Sequence, residues 1–317
     1  MESIRVGVVG VGHLGYHHAR NLAALGGAEL VGVVDSDMAR ARKAAGDFGV
    51  RAFGSVRELL AAGVQAASVA VPTTAHMDVA LELIEGGADV LVEKPIAQDT
   101  GEARRLVDSA AAAGRLLQVG HIERFNGAVM AVFGHFRNPR FIECHRLSPY
   151  PARSTDVSVV LDLMIHDLDI VLALDGTRVE SVDAVGVAVF SPQEDIANAR
   201  LRFASGCVAN ITASRVSVER MRKIRIFAQD AYVSTDYSAQ EVTVYRKKPG
   251  ALSPEADVMQ QISIEPLDVN QDEPLKLELA SFLDCVRERK RPLVAGEDAL
   301  AALVLAQRIT AFIREHQ

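Results

Sequence analysis

The stretch Ile4-Arg5-Val6-Gly7-Val8-Val9-Gly10-Val11-Gly12-His13-Leu14-Gly15 decides how the first part of the chain folds. Its apolar half, Ile4–Val9, has the continuous character of a strand buried on both faces. Its glycine half opens a helical stretch near Leu14–Ala24. Gly10 permits a tight turn, Gly12 lets backbone approach a pyrophosphate, and Gly15 lets the helix pack close to the strand. The helix then presents free N–H groups to the phosphates. A glycine fingerprint alone is weak evidence. Here it lies inside a βαβ unit whose second strand, Leu30–Val34, ends at Asp35, twenty residues beyond Gly15. An acidic side chain at that point accepts hydrogen bonds from an adenosine ribose and repels a 2′-phosphate, which favours NAD over NADP. Ser36 and Asp37 add no positive charge, whereas Arg40 and Arg42 keep NADP as the less favoured alternative.

The same rhythm continues outward. Strand-like runs at Ala67–Val71, Val90–Val92 and Leu116–Val119 alternate with helical stretches at Met38–Phe48, Ala75–Glu85 and Glu102–Ala112. Continuous apolar strands separated by helices predict a parallel sheet covered on both faces. The expectation is an α/β chain whose residues 1–121 form a Rossmann dinucleotide-binding domain. After Gly120 the rhythm changes. One helical stretch, Val159–Leu174, precedes strand-like runs at Val182–Phe190, Ala199–Phe203, Val208–Ala213, Ile224–Ala228 and Val242–Tyr245. Strands without intervening helices predict an open, mostly antiparallel sheet in a second α/β domain, residues 122–317. Helices near Leu275–Arg289 and Asp298–Glu315 close the chain, and the last can pack back on the first domain. The polar segment Lys247–Asp257, with two prolines, reads as a loop.

Composition narrows the function. A chain of 317 residues is long enough for two ordinary cores. Net charge of −7 disfavours nucleic acid and anionic membranes as general partners. No apolar run reaches the roughly 18–20 residues that span a bilayer. A first strand at Ile4 leaves no room for a signal peptide in the sequence as it stands. The three cysteines, Cys144, Cys207 and Cys285, are odd in number and widely spaced. They form no disulfide framework or zinc spacing, so a cytoplasmic setting is expected.

The chemistry-bearing residues sit at strand ends and on one helix. Ligands of open α/β sheets bind at the carboxyl ends of the strands, where Glu93 and Lys94 stand. A lysine there is in general more often a snorkelling surface cation than a catalyst. Asp162 and His166 are four apart and share one face of a helix that is otherwise apolar. On geometry alone they can be a helix-surface ion pair. With Asp169 they also suggest a metal site, but one helix supplies too few convergent ligands, and none is expected.

Three segments, in this order, make nearly the whole chain resemble the Gfo/Idh/MocA family of dehydrogenases. They are Val71-Pro72-Thr73-Thr74-Ala75-His76, Glu93-Lys94-Pro95, and Asp162-Leu163-Met164-Ile165-His166 at the family's Asp-x-x-x-His position. Gly296-Glu297-Asp298 and its helix also match. The family often has glycines before the aspartate; Ser158-Val159-Val160 stand there instead, so that turn can differ in shape. The resemblance implies an oxidoreductase that uses NAD on a CH–OH group. Lys94 contacts the reacting hydroxyl, next to a proline bond that can be cis. His166 acts as base and Asp162 orients substrate or imidazole. Glu93 positions Lys94 or contacts the nicotinamide ribose. Pro72, Thr73 and His76 line the cofactor's central portion, and His121 is placed near the nicotinamide or caps its strand. A homodimer or homotetramer, joined through the open sheet, is implied too.

Two further segments resemble the subgroup that oxidises UDP-N-acetylglucosamine at C3, ahead of a transamination in lipid A assembly by a partner aminotransferase. They are Gln118–Asn126 and His145–Arg153. Arg124, Arg146 and Arg153 offer planar forks for a diphosphate, Tyr150 a ring to stack on sugar or uracil, and Asn126 a polar contact. The bland alternative leaves these arginines solvated or pairs them with Glu123, Glu143 and Asp156. A dehydrogenase of a free sugar, inositol or sugar acid would need fewer cations. A non-catalytic NAD-binding regulator is the reading from another class, since fold alone does not establish activity.

Overall fold

In the computed structural model, which describes residues 3–136, 138–150, 157–229, 231–248 and 261–316, β1 (Ile4–Val9) lies inside a parallel sheet. It pairs with β2 (Ala28–Val34) on one side and β4 (Ala66–Val69) on the other. β3 (Arg51–Phe53) extends one edge, and β5 (Asp89–Glu93) and β6 (Leu117–Gly120) extend the other, giving the order β3-β2-β1-β4-β5-β6. Every residue of β4 and β5 is buried, which is why these strands read as unbroken apolar runs. Strand order reverses between β1 and β4, and the crevice at their carboxyl ends is the switch point where such sheets bind ligands.

Helices α1 (His13–Ala24), α2 (Met38–Phe48), α3 (Val56–Ala61), α4 (His76–Glu85) and α5 (Thr100–Ala113) connect the strands. β3 and α3 escape the periodicity reading because three and six residues are too few to show a pattern. Asp37 and Asp99 cap α2 and α5, their carboxylates accepting from the N–H groups of Ala39 and Glu102 at 2.9 Å each. The first compact unit comprises Met1–Phe125 together with Asp272–Leu303, a return that a linear division after residue 121 does not capture. Its helix Pro274–Glu288 buries Leu275, Leu279, Phe282, Leu283 and Val286 in the same cluster as Ala19 and Leu22 of α1. Each such side chain removed from water contributes roughly 1.5–3 kcal/mol.

The second unit comprises Asn126–Gln271 and Val304–Gln317. After α6 (Gly127–His135) come β7 (Phe141–Leu147), α7 (Ile165–Asp175), β8 (Val179–Val187), β9 (Ile196–Phe203), β10 (Val208–Ser214), β11 (Met221–Phe227), β12 (Ala231–Asp236), β13 (Glu241–Lys247) and β14 (Ile262–Pro266). The open sheet runs β14-β13-β12-β11-β7-β10-β9-β8 and is antiparallel apart from the β7–β10 pair. Alternate residues are buried, as in Ala197, Ala199, Leu201 and Phe203 of β9. On the other face, Phe141, Phe227, Tyr232 and Tyr245 form a cross-strand row with ring centroids 4.8–5.7 Å apart. The predicted helix Val159–Leu174 is not uniform: Val160–Met164 form a π-helical turn before α7 begins at Ile165. The loop expected at Lys247–Asp257 falls mostly outside the described residues.

Two buried ion pairs tie this unit together. Arg146 of β7 donates through Nε and one terminal nitrogen to the two oxygens of Asp167, at 2.9 Å each. Arg215 donates through Nε to Asp195 at 2.8 Å, with both side chains fully buried. Asp195 also accepts from the backbone N–H groups of Val189, Phe190 and Ser191 at 2.6–2.9 Å. Burial alone would push its carboxyl up, but the Phe190 N–H, Arg215 and Ser191 outweigh this and hold it well below the usual carboxylate range. A carboxyl depressed in the folded state contributes stability above its unfolded value near pH 4, and that contribution fades as pH falls. Arg215→Met should strand this carboxylate and cost about 3–5 kcal/mol, read as a lowered denaturation midpoint at neutral pH and a smaller deficit in acid.

Candidate functional site

The glycine loop is built as a nucleotide cradle. Gly10 has φ +85°, and a Cβ there would meet the Ala70 carbonyl oxygen at 2.7 Å. A Cβ on Gly15 would lie 1.8 Å from the Gly10 carbonyl oxygen, so α1 reaches the loop only because residue 15 has no side chain. No side chain caps α1 at Gly12, unlike α2 and α5, which leaves its first N–H groups for a ligand's oxygens. His13 and Leu14 stand exposed on that first turn. Asp35 ends β2 buried, its Oδ2 accepting from Val11 N–H at 2.8 Å and its Oδ1 from Asp37 N–H at 2.9 Å. The guanidinium of Arg40 approaches both oxygens at 3.5 Å. Beside them opens a cavity of about 530 Å³ whose lining includes Gly10, Gly12, Asp35, Arg40, Pro72 and Ala75. A flexible-free turn, uncapped helix N-terminus, fixed acid and cavity together fit NAD.

His76 departs from the expectation. Its two ring nitrogens lie 2.8 Å and 3.0 Å from the carbonyl oxygens of Pro95 and Val71, and the ring is buried. Burial lowers its pKa, partly offset by those carbonyls and by Glu93. It therefore joins the loops after β4 and β5 from behind, while Pro72 and Ala75 face the cavity and Thr73 is half-buried beside them. At the end of β5, Glu93 is buried and its Oε2 accepts from the Lys94 N–H at 3.2 Å. Lys94 is half-buried, and the Lys94–Pro95 bond is cis. His121, at the end of β6, is buried too.

In the second unit, Ser158 starts the helical segment. Its hydroxyl accepts from Val160 N–H at 3.2 Å and its carbonyl from Asp162 N–H at 3.0 Å. Asp162 lies within the π-helical turn and His166 in the first turn of α7. Four residues span close to one revolution in either winding, so the two remain on one side of the helix, both half-buried. Asp169 is buried on the same helix.

The cations expected to meet a diphosphate are largely committed elsewhere. The fork of Arg146 is filled by Asp167, a partner the sequence did not suggest because it lies 21 residues away on α7. Arg124 is buried and donates to the Leu293 carbonyl at 3.4 Å. Asn126 caps α6, accepting from Ala128 N–H at 3.0 Å and donating to the Tyr237 carbonyl at 3.2 Å. Arg153 lies outside the described residues. Tyr150 does project, 41% exposed, with its ring edge-on to Phe190 at 5.5 Å. Phe190 was not anticipated, although an isolated aromatic beside Ser191-Pro192 in a loop is a legible signal.

Comparison with known proteins agrees with this fold. A model described as "Oxidoreductase family, NAD-binding Rossmann fold" matches residues 4–121, and one described as "GFO/IDH/MocA C-terminal domain" matches residues 112–234. The UDP-N-acetylglucosamine 3-dehydrogenase of Acidithiobacillus ferrooxidans is 38% identical over 99% of this chain and 100% of its own length. A solved structure of that enzyme superposes with a TM-score of 0.91, covering 99% of both chains at 36% identity. The NAD(+)-dependent scyllo-inositol 2-dehydrogenase of Bacillus subtilis is 28% identical over 94% of this chain and 90% of its own. Asp35→Ser should move cofactor preference toward NADP by on the order of tenfold, since it removes a like charge from the 2′-phosphate and leaves Arg40. The ratio of NADPH to NADH dissociation constants measures it, and an unchanged ratio refutes the role given to Asp35.

Proposed function

The chain belongs to the Gfo/Idh/MocA family of oxidoreductases, and from that premise we propose that it oxidises the C3 hydroxyl of UDP-N-acetylglucosamine to a ketone with NAD. It is a sugar dehydrogenase with an NAD-binding Rossmann domain. The finer substrate reading is carried by one observation: 38% identity to a UDP-N-acetylglucosamine 3-dehydrogenase across essentially the full length of both chains.

Each residue's proposed work follows from its chemistry. NAD, when bound, accepts the hydride from the carbinol carbon. His166 takes the hydroxyl proton, which an imidazole can do near neutral pH. Lys94 donates a hydrogen bond to the oxygen as negative charge develops there. Asp162 orients the imidazole or the sugar. Glu93 holds the backbone of Lys94, a role supported by its acceptance of that N–H. Tyr150, with Phe190 beside it, offers an aromatic surface to a sugar or uracil face. The same proposal places a cytoplasmic homodimer or homotetramer upstream of an aminotransferase that consumes the ketone in lipid A synthesis.

A second reading has its own support. With Arg124 and Arg146 committed inside the protein, fewer cations remain for a diphosphate, and an inositol dehydrogenase is also similar over most of its length. NADH formation with UDP-N-acetylglucosamine, myo-inositol and free hexoses separates the two, with an aminotransferase added to draw off the ketone. The nucleotide sugar should give the highest kcat/KM. Preferential inositol turnover would replace the proposal, and NAD binding without turnover of any sugar would favour a regulator. His166→Ala should lower kcat by about 10²–10⁴ and Lys94→Ala by about 10²–10³, with NADH still binding. Retained turnover in Lys94→Ala would remove the mechanism.

A further inference from the structure

Behind Lys94 the first unit encloses a cluster of polar side chains that the nucleotide fingerprint does not require. α1 brings His18 and β4 brings Ser68, both fully buried. β5 brings Glu93, β6 brings Gln118, and the helix Pro274–Glu288 brings Glu278, also with no exposed surface. His18 Nδ1 lies 2.7 Å from the Ser68 hydroxyl. Its Nε2 lies 3.0 Å from Glu93 Oε1, in contact though outside good hydrogen-bond alignment. The Ser68 hydroxyl and the Glu93 carboxylate thus stand one at each ring nitrogen of His18. Gly120 sits opposite Glu93 in the β5–β6 register, and a Cβ there would come within 2.8 Å of the Glu93 carboxylate. Glu278 differs from the others. Neither of its carboxyl oxygens has a hydrogen-bond partner among the described residues. Its backbone carbonyl, by contrast, accepts from Gln118 Nε2 at 3.4 Å.

Gln118, two residues before the Gly120 that faces Glu93, brings β6 against the Glu278 backbone, and a fully buried carboxyl with no donor to either oxygen is strongly disfavoured as an anion. We propose that Glu278 is a neutral carboxylic acid at working pH, that it donates its proton toward Glu93, and that with His18 it holds the Glu93–Lys94 turn in place. Glu93 is then the single anion of the cluster, answered by His18 and by the Lys94 N–H. The direction of the Glu278 pKa agrees: burial pushes it well above the usual carboxylate range, and the charge of Glu93 pushes it further. Glu278 acts through Glu93 and is a positioning residue. The part of this inference that concerns catalysis rests on the dehydrogenase reading of Lys94; the protonation state and the local order do not.

The test uses the full-length protein and two variants. Infrared difference spectra of wild type against Glu278→Gln at neutral pH should show a protonated-carboxyl C=O band that the variant lacks. Its absence means Glu278 is ionised and overturns the proposal. Hydrogen exchange at the Lys94 amide should be roughly tenfold faster in Glu278→Ala and return to the wild-type rate in Glu278→Gln, whose amide can still donate. Unchanged exchange in Glu278→Ala, or equal acceleration in both variants, overturns the positioning role. If Glu278→Ala does not fold, Glu278→Gln still decides: a folded variant with wild-type exchange sustains the proposal, and an accelerated one ends it. A C=O band and restored exchange in a protein that oxidises no sugar would leave the cluster standing while the dehydrogenase reading falls.

Discussion

The close approach of α1 to the Gly10 carbonyl is the contact from which the first unit is organised. Nothing larger than hydrogen fits at Gly15, and this allows the helix to begin directly over the loop. The helix start then does two things at once. Its uncapped N–H groups face outward toward the crevice, and one turn further along its inner side carries His18 to Glu93. Another turn brings Leu22 against Phe282 and its neighbours in the cluster that holds the helix Pro274–Glu288, the element that carries Glu278. A single close contact thus sets the glycine-loop cradle, the charge behind Lys94 and a good share of the core.

Buried carboxylates are answered in more than one way in this protein, and in the first unit Asp89 has Arg289 beside it. In the second unit two of them meet an arginine: Asp167 has the fork of Arg146, and Asp195 has Arg215 plus three backbone donors. Such pairs are weak evidence for net stability, because desolvation offsets most of the attraction. They do specify geometry, joining β7 to α7 and the β8–β9 connection to the end of β10. In the first unit Glu93 has His18 at 3.0 Å and feels His76 as well, whereas Glu278 has no donor to either carboxyl oxygen among the described residues. The enclosed space is left with little capacity for a second negative charge.

Much of this was legible in the residues themselves. The parallel sheet followed from unbroken apolar strands, and the nucleotide cradle from three glycines and an aspartate at the right distance. The mostly antiparallel sheet followed from strands with no helices between them. β7 was harder to see because Arg146 occupies a buried slot in its alternation, and α6 because Gly127–His135 is apolar on all sides. The π-helical turn left only a faint trace, the missing glycines before Asp162. The arginines at 124 and 146 misled for one reason: local sequence shows a cation but not the distant carboxylate or carbonyl that takes it up. Glu278 was visible in principle, a carboxylate set on the apolar stripe of Leu275, Leu279 and Phe282. An acid in that position needs an explanation that a surface helix does not.

The return of residues 272–303 to the first unit has a consequence for synthesis. During translation amino-terminal domains generally fold as they emerge. Here the β-α-β scaffold leaves the ribosome early, yet the leucines and phenylalanine that finish its core are made only after the whole second sheet. Until then Ala19, Leu22 and their neighbours have no cover from that helix. The nascent nucleotide domain must wait, partly open, for a segment encoded about 150 residues later, so the two halves of this protein mature together rather than in turn.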